Sequence, residues 1–222
     1  MLEQSAVERM GRADFSRDSF LRARALAWEA LREVAAQVEA GMKEADVQAL
    51  LKTALTARGS AKPWHKPVVR LGSDTTKTFH PLSDPDLRLE KTDIFFLDIG
   101  PVWEGYEADV GDSFTLGGDA EMIRCAEDCR VLFDIVRTEW LSSGRSGANL
   151  YRFAEAQAKS RGWELVMDVD GHRLGDFPHH AHFRGSMGEL DFRPSSDAWV
   201  LEIQLRHPSR PFGGFYEDLL LI

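Results

Sequence analysis

Cysteine is nearly absent from this chain: two of 222 residues, Cys125 and Cys129. So few thiols exclude a disulfide framework, and with no second cysteine pair they exclude a structural zinc knot. Four apart in a helical pattern, they read as two reduced thiols on one helix face. Long apolar runs are also missing. No stretch approaches the ~18 apolar residues of a membrane span, and no apolar leader follows the first residues, so the expectation is a cytoplasmic chain with no membrane partner. Positive charge is scarce: 27 Lys and Arg against 36 Asp and Glu leave a net charge of −9. That sign repels phosphate backbones and excludes nucleic acid as an expected partner. No Pro/Gly/Ser-rich linker interrupts the chain. Residues 1–15 are expected to be a loose N-terminal segment and 16–222 one domain.

What is present is a repeated pattern. Ser16 can cap a helix, and FLRARALAWEALREVAAQVEAG spaces its apolar residues at helical intervals up to Gly41. A second helix is expected from about Lys43 to Arg58. Turns and short extended pieces follow, and then IFFLDIGPVWEGYEADVGDSFTLGG reads as two strands joined by a turn at Glu104-Gly105. The order then recurs: helices over about 119–141 and 147–161, followed by the extended pieces VMDVDGHRLGDF, AWVLEIQLRH and GFYEDLLLI. Gly41 aligns with Gly144, Arg58-Gly59 with Arg161-Gly162, and Arg70-Leu71-Gly72 with Arg173-Leu174-Gly175, all at one offset. One residue of slip brings IFFLD onto AWVLE, and so Asp98 onto Glu202. The expected architecture is α+β: two pseudo-symmetric helix–helix–sheet halves, about 16–118 and 119–222, sharing one antiparallel-rich sheet.

The chemistry sits in acids placed where acids are unfavourable. Asp is depleted in strands, yet Asp98 and Asp109 lie eleven apart on consecutive ones. For that pair alone, two solvated turn acids are an equal explanation. Glu202 in WVLEIQL and Glu217 in GGFYEDLLLI tilt the balance, because each stands in an apolar strand. A buried carboxylate is costly unless paired or bound to a cation, and neighbouring carboxylates repel. Hard oxygen donors suit Mn²⁺, Mg²⁺, Fe²⁺ or Co²⁺. A nitrogen from His172 in GHRLG, flanked by Gly171 and Gly175, shifts the preference toward transition metals or zinc.

The ordered set Asp98 (FFLDIG), Asp109 (YEADVGDSF), His172 (GHRLG), Glu202 (VLEIQ) and Glu217 (FYED) resembles the methionine aminopeptidase / aminopeptidase P / prolidase family over about residues 20–222. In length the sequence is similar to a short form without the N-terminal domain of prolidases. The resemblance implies the pita-bread fold and two divalent metal ions (Mn, Fe, Co or Zn, with Mn or Fe favoured). It implies Asp109 and Glu217 as bridging ligands, Asp98 completing one metal, and His172 with Glu202 completing the other. It implies a hydrolase of the aminopeptidase type, cleaving an N-terminal peptide bond or small amide with water deprotonated by Glu202. His80, eighteen before Asp98, is similar to a substrate-contacting histidine. His179, seven after His172, is similar to the one that steadies the tetrahedral intermediate. The candidate substrate contacts are Trp64, His65, Asp112, Arg173 and His180. A homodimer is allowed by the same resemblance.

The sequence departs from the family pattern at Asp112, Arg173-Leu174 and the His179-His180-Ala181-His182 run. Two further readings therefore stay open. One keeps the dimetal site but applies it to a non-peptide small molecule, by C–N hydrolysis or metal-based oxidation. The other is a non-catalytic binding relative.

Overall fold

The computed structural model describes residues 3–10, 12–60, 62–80, 82–175, 177–179 and 183–222. The chain opens on one helical turn, α1 (Gln4–Val7). Helix α2 (Arg17–Ala35) begins where the hydroxyl of Ser16 accepts the Ser19 amide. It buries Phe20, Ala23, Ala27, Trp28, Leu31 and Val34, the stripe that its apolar spacing requires. The periodicity alone would carry α2 to Gly41, but the helix ends at Ala35. Beyond it the Gly41 amide donates to Leu89 O (2.8 Å) and the Leu89 amide to Met42 O (3.0 Å). A cross-chain pairing thus takes the backbone groups that a longer helix would have used.

Helix α3 (Glu44–Ala57) follows, then strands β1 (Val68–Leu71), β2 (Asp93–Ile99), β3 (Val102–Trp103), β4 (Tyr106–Glu107) and β5 (Val110–Leu116). The second half repeats this order with α4 (Ala120–Ser143), α5 (Gly147–Ser160), β6 (Glu164–Leu165), β7 (His172–Arg173), β8 (Trp199–Arg206) and β9 (Gly213–Leu219). Of VMDVDGHRLGDF only His172 and Arg173 form a strand among the described residues. The turn expected at Glu104-Gly105 closes a two-stranded ribbon, β3–β4, at the tip of the longer β2–β5 hairpin.

The seven-stranded sheet runs β1-β2-β5-β9-β8-β6, with β7 also on β8, and its pairings are antiparallel. From the central β5–β9 contact the first half lies outward one way and the second half the other, which is the pseudo-symmetry of the sequence repeat. Alternation along the strands divides the two faces. Leu97, Ile99 and Val110 pack with α2 and α3, while Leu201, Ile203 and Leu205 pack with α4 and α5. Cys125 and Cys129 are buried in α4 within that second core. The α+β expectation holds. No helix among the described residues is long and apolar enough to cross a membrane.

The N-terminal segment is tied down by polar contacts that its sequence does not announce. Glu8 accepts from Trp199 Nε1 (2.8 Å) and from the Ser195 amide (2.7 Å). Arg173 donates to Arg9 O (2.6 Å).

Candidate metal centre

Strand register assembles the site. Asp98 lies opposite Gly111, Gly111 opposite Glu217, and Glu217 opposite Glu202. Directly opposed residues share a face, so one row across four strands carries Asp, Gly, Glu and Glu. The glycine is what lets the row close. A Cβ on Gly111 would stand 2.5 Å from the Phe215 ring and 3.0 Å from Glu217 Oε1. Asp109 precedes Gly111 by two and therefore faces the same way. His172 pairs with Val200, two before Glu202, and enters from the same side.

The side chains converge on Asp109, which is 2 % exposed. His172 Nε2 stands 2.8 Å from Asp109 Oδ2 and 3.4 Å from Glu202 Oε1. His65 Nε2 stands 3.3 Å from Asp109 Oδ1 and 3.4 Å from Asp98 Oδ1. Ligand atoms of Asp109, His172 and Glu217 lie within 4.8 Å of one another, and so do those of His65, Asp98 and Asp109.

The electrostatics are those of a cation site. Burial, and then the charges of Asp109, Asp98 and Glu202, push the Glu217 carboxyl well above its ordinary range. Burial also raises Glu202, with Asp109 and Asp98 adding to it against the opposing pull of His172. Burial raises Asp98 although His65 pulls it down. For Asp109 burial is outweighed by the hydrogen bonds from His172 and His65, and its carboxyl is lowered. The fit to divalent metal is carried by two orphaned atoms: Asp98 Oδ1 and Glu217 Oε1 are buried with no hydrogen-bond partner. Carboxylate oxygens left bare beside like charges are placed where a dication would repay their desolvation.

Around this centre is a cavity of about 680 Å³. Trp64 forms part of its wall. Its ring stacks on His179 at 3.7 Å and 19°, and its Nε1 donates to Ala108 O (3.1 Å). His179 Nδ1 lies 3.0 Å from Glu107 Oε2. Glu107 is 1 % exposed, and burial pushes it up to about 8. Sequence reading missed Glu107 as a site residue; its only signal was a second acid two positions before Asp109. His80 lines the cavity from an exposed position with its ring against Phe79 (4.1 Å).

Two expected substrate contacts lie elsewhere. Asp112 alternates onto the helix side of β5, where Arg130 of α4 holds it (Nε–Oδ1 2.8 Å). Arg173 points away from its neighbour His172 and secures the N-terminal segment. In both cases strand alternation sends the side chain to the face opposite the cluster. His180, like His182, lies outside the described residues.

Glu202 is positioned from behind. It falls between the part of β8 paired with β7 (Trp199–Val200) and the part paired with β6 (Leu205–Arg206). Tyr151 of α5 fills that gap: its hydroxyl donates to Glu202 O (3.0 Å) and accepts the Glu202 amide (3.2 Å). Tyr151→Phe should therefore lower stability by about 1–3 kcal/mol, since both buried backbone groups lose their partner. A thermal melt with Tm unchanged from wild type would show that the hydroxyl is dispensable.

Comparison with known proteins gives the family and the fold. The profile described as Metallopeptidase family M24 matches residues 18–219. A methionine aminopeptidase of Archaeoglobus fulgidus is 24% identical over 169 residues, covering 76% of this chain and 56% of that protein. Methionine aminopeptidase 2 of Bacillus subtilis is 24% identical over 156 residues, covering 68% and 63%. The chain thus spans between 56% and 63% of the length of these curated relatives. Among solved structures, an X-Pro aminopeptidase from Thermotoga maritima superposes with a TM-score of 0.76 at 18% identity, covering 98% of this chain and 64% of that one. A methionine aminopeptidase from the same organism gives 0.70 at 15%, covering 92% and 97%. At these identities the structural likeness is one of fold, and the fold is the pita-bread fold that the sequence resemblance implied.

Proposed function

This chain belongs to metallopeptidase family M24, and from that premise we propose that it is a dinuclear metal-dependent hydrolase of the aminopeptidase type, acting on the C–N bond of a small peptide or small amide. The observation that carries the reading is the convergence of two buried carboxylates, Asp109 and Glu217, two partly buried ones, Asp98 and Glu202, and His172 on one face of the sheet, with an oxygen of Asp98 and one of Glu217 lacking a hydrogen-bond partner. In this reading Asp98, Asp109, His172, Glu202 and Glu217 would hold two divalent ions, with Asp109 and Glu217 as the ligands common to both. Such ions supply Lewis acidity and make a water acidic at neutral pH. Hard carboxylate donors favour manganese or iron.

The remaining work falls to the chain itself. Glu202, with Oε1 at the inner edge of the cluster, takes the proton of the attacking water and later gives it to the leaving nitrogen. His179, held on Nδ1 by Glu107 and stacked on Trp64, offers Nε2 to the oxygen on which negative charge develops. Trp64 and the row of strand residues shield the centre from one side, so these charges act in a partly dry site.

The test is a metal titration followed by a substrate screen. The chain, stripped by chelator and reconstituted with Mn²⁺ or Co²⁺, should retain two equivalents and release amine from Met-Xaa peptides, Xaa-Pro peptides or small amides. Fewer than one equivalent retained, or no turnover on any of the three classes by the fully loaded chain, would overturn the hydrolase reading.

A further inference from the structure

Among the described residues, His65 is the one nitrogen donor in the cluster that the ordered Asp, Asp, His, Glu, Glu pattern does not account for. We propose that His65 is a sixth protein ligand, so that each metal of the pair receives one imidazole: His65 on the side of Asp98, His172 on the side of Glu202. The inference rests on the dinuclear reading above and adds to it a coordination that the family pattern lacks.

The two histidines are presented in the same way. His172 Nδ1 faces the carbonyl of the next residue, Arg173 (3.1 Å), and His65 Nδ1 faces the carbonyl of the next residue, Lys66 (2.7 Å). A carbonyl oxygen can only accept, so in each ring Nδ1 carries a hydrogen; Nε2, which faces Asp109, is the nitrogen that a metal would take in exchange for its proton. A ligating histidine is oriented in this manner, with its far nitrogen donating to a backbone carbonyl. The two Nε2 atoms then address opposite oxygens of one carboxylate. His65 lies 3.3 Å from Asp109 Oδ1 and His172 lies 2.8 Å from Asp109 Oδ2. His65 Nε2 also pairs with Asp98 Oδ1 at 3.4 Å, beyond good hydrogen-bond geometry, so the imidazole nitrogen and two carboxylate oxygens face one another as a donor set for a cation.

The backbone is shaped to admit the ring. A Cβ on Gly100 would stand 2.0 Å from His65 Cδ2 and 2.5 Å from Trp64 Nε1. Only a glycine at this position, two residues after Asp98, leaves room for the imidazole. Trp64, edge-on to His65 with ring centroids 4.2 Å apart, closes the other side. A nitrogen donor added to an Asp-rich site moves its preference from manganese toward cobalt and zinc.

X-ray absorption on the cobalt-loaded chain counts imidazoles directly. The native chain with two cobalt equivalents should show about one imidazole per metal, and His65→Gln should either keep two equivalents at about half an imidazole per metal or retain only one equivalent. His65→Gln should also weaken Co²⁺ or Zn²⁺ binding by about tenfold or more while changing Mn²⁺ affinity by less than about threefold. A native chain with two cobalt ions and only half an imidazole per metal overturns the inference and leaves the dinuclear site standing. The same holds if His65→Gln keeps two ions and a full count. A native chain that binds fewer than two ions overturns the dinuclear reading itself, and this inference with it. The native count decides the matter even if the variant does not fold.

Discussion

Asp109→Asn is expected to empty the centre. The change is nearly isosteric, so the strand that carries it should hold, but it removes the one carboxylate that both histidines address, at 3.3 Å and 2.8 Å. An amide offers a single oxygen donor, no charge, and an NH₂ that repels a cation. With the shared ligand gone, neither half of the cluster has enough donors, and the loss in kcat/KM should be about 10³-fold or more, roughly 4 kcal/mol of transition-state stabilisation. The sharper readout is linkage. Metal that binds only the folded chain raises Tm, so Mn²⁺ or Co²⁺ should raise the Tm of the native chain and leave that of Asp109→Asn where it was. Asp112→Asn is the matched control, three residues further on, inside β5, but salt-bridged to Arg130 on the helix side. Its metal content and metal-dependent Tm shift should match wild type. Equal metal uptake by native chain and Asp109→Asn would remove Asp109 from the centre.

Glu202→Gln should separate proton transfer from substrate binding. Its Oε1 sits 3.4 Å from His172 Nε2, and its backbone is pinned by Tyr151, so the glutamine should occupy the same place. What it cannot do is accept a proton, and because the amide is also a weaker metal donor the comparison is made at saturating Mn²⁺ with two equivalents bound by both proteins. The expected result is a fall in kcat of about 10²–10⁴-fold with KM within about threefold of wild type, the range in which a positioned base contributes. A Glu202→Gln enzyme with wild-type kcat would show that the proton goes elsewhere.

Much of this is legible in the sequence alone. The four main helices follow from apolar spacing and from caps such as Ser16 and Gly144, which are local properties of a helix. The repeat predicted two halves, and the sheet order β1-β2-β5-β9-β8-β6 is that repeat in space. Asp98, Asp109, His172, Glu202 and Glu217 stood out because an acid in an apolar strand needs a reason. Asp112 and Arg173 misled because residue type says nothing about which face a side chain takes. A shift of one position along a strand reverses its direction, and only the register resolves it.

The sequence by itself thus determined the elements, the pseudo-symmetry and which acids would be conspicuous in the sheet, since all three depend on spacing along the chain and on the cost of burying charge. Tertiary structure alone decided how those acids meet. It took the row across four strands to set Asp98, Gly111, Glu217 and Glu202 side by side. It took the fold to bring Glu107 behind His179, to fill the gap beside Glu202 with Tyr151, and to swing His65 over Gly100 against Asp98 and Asp109. These contacts join residues as far apart in sequence as Gly111 and Glu217, and no periodicity or motif encodes a distance across space.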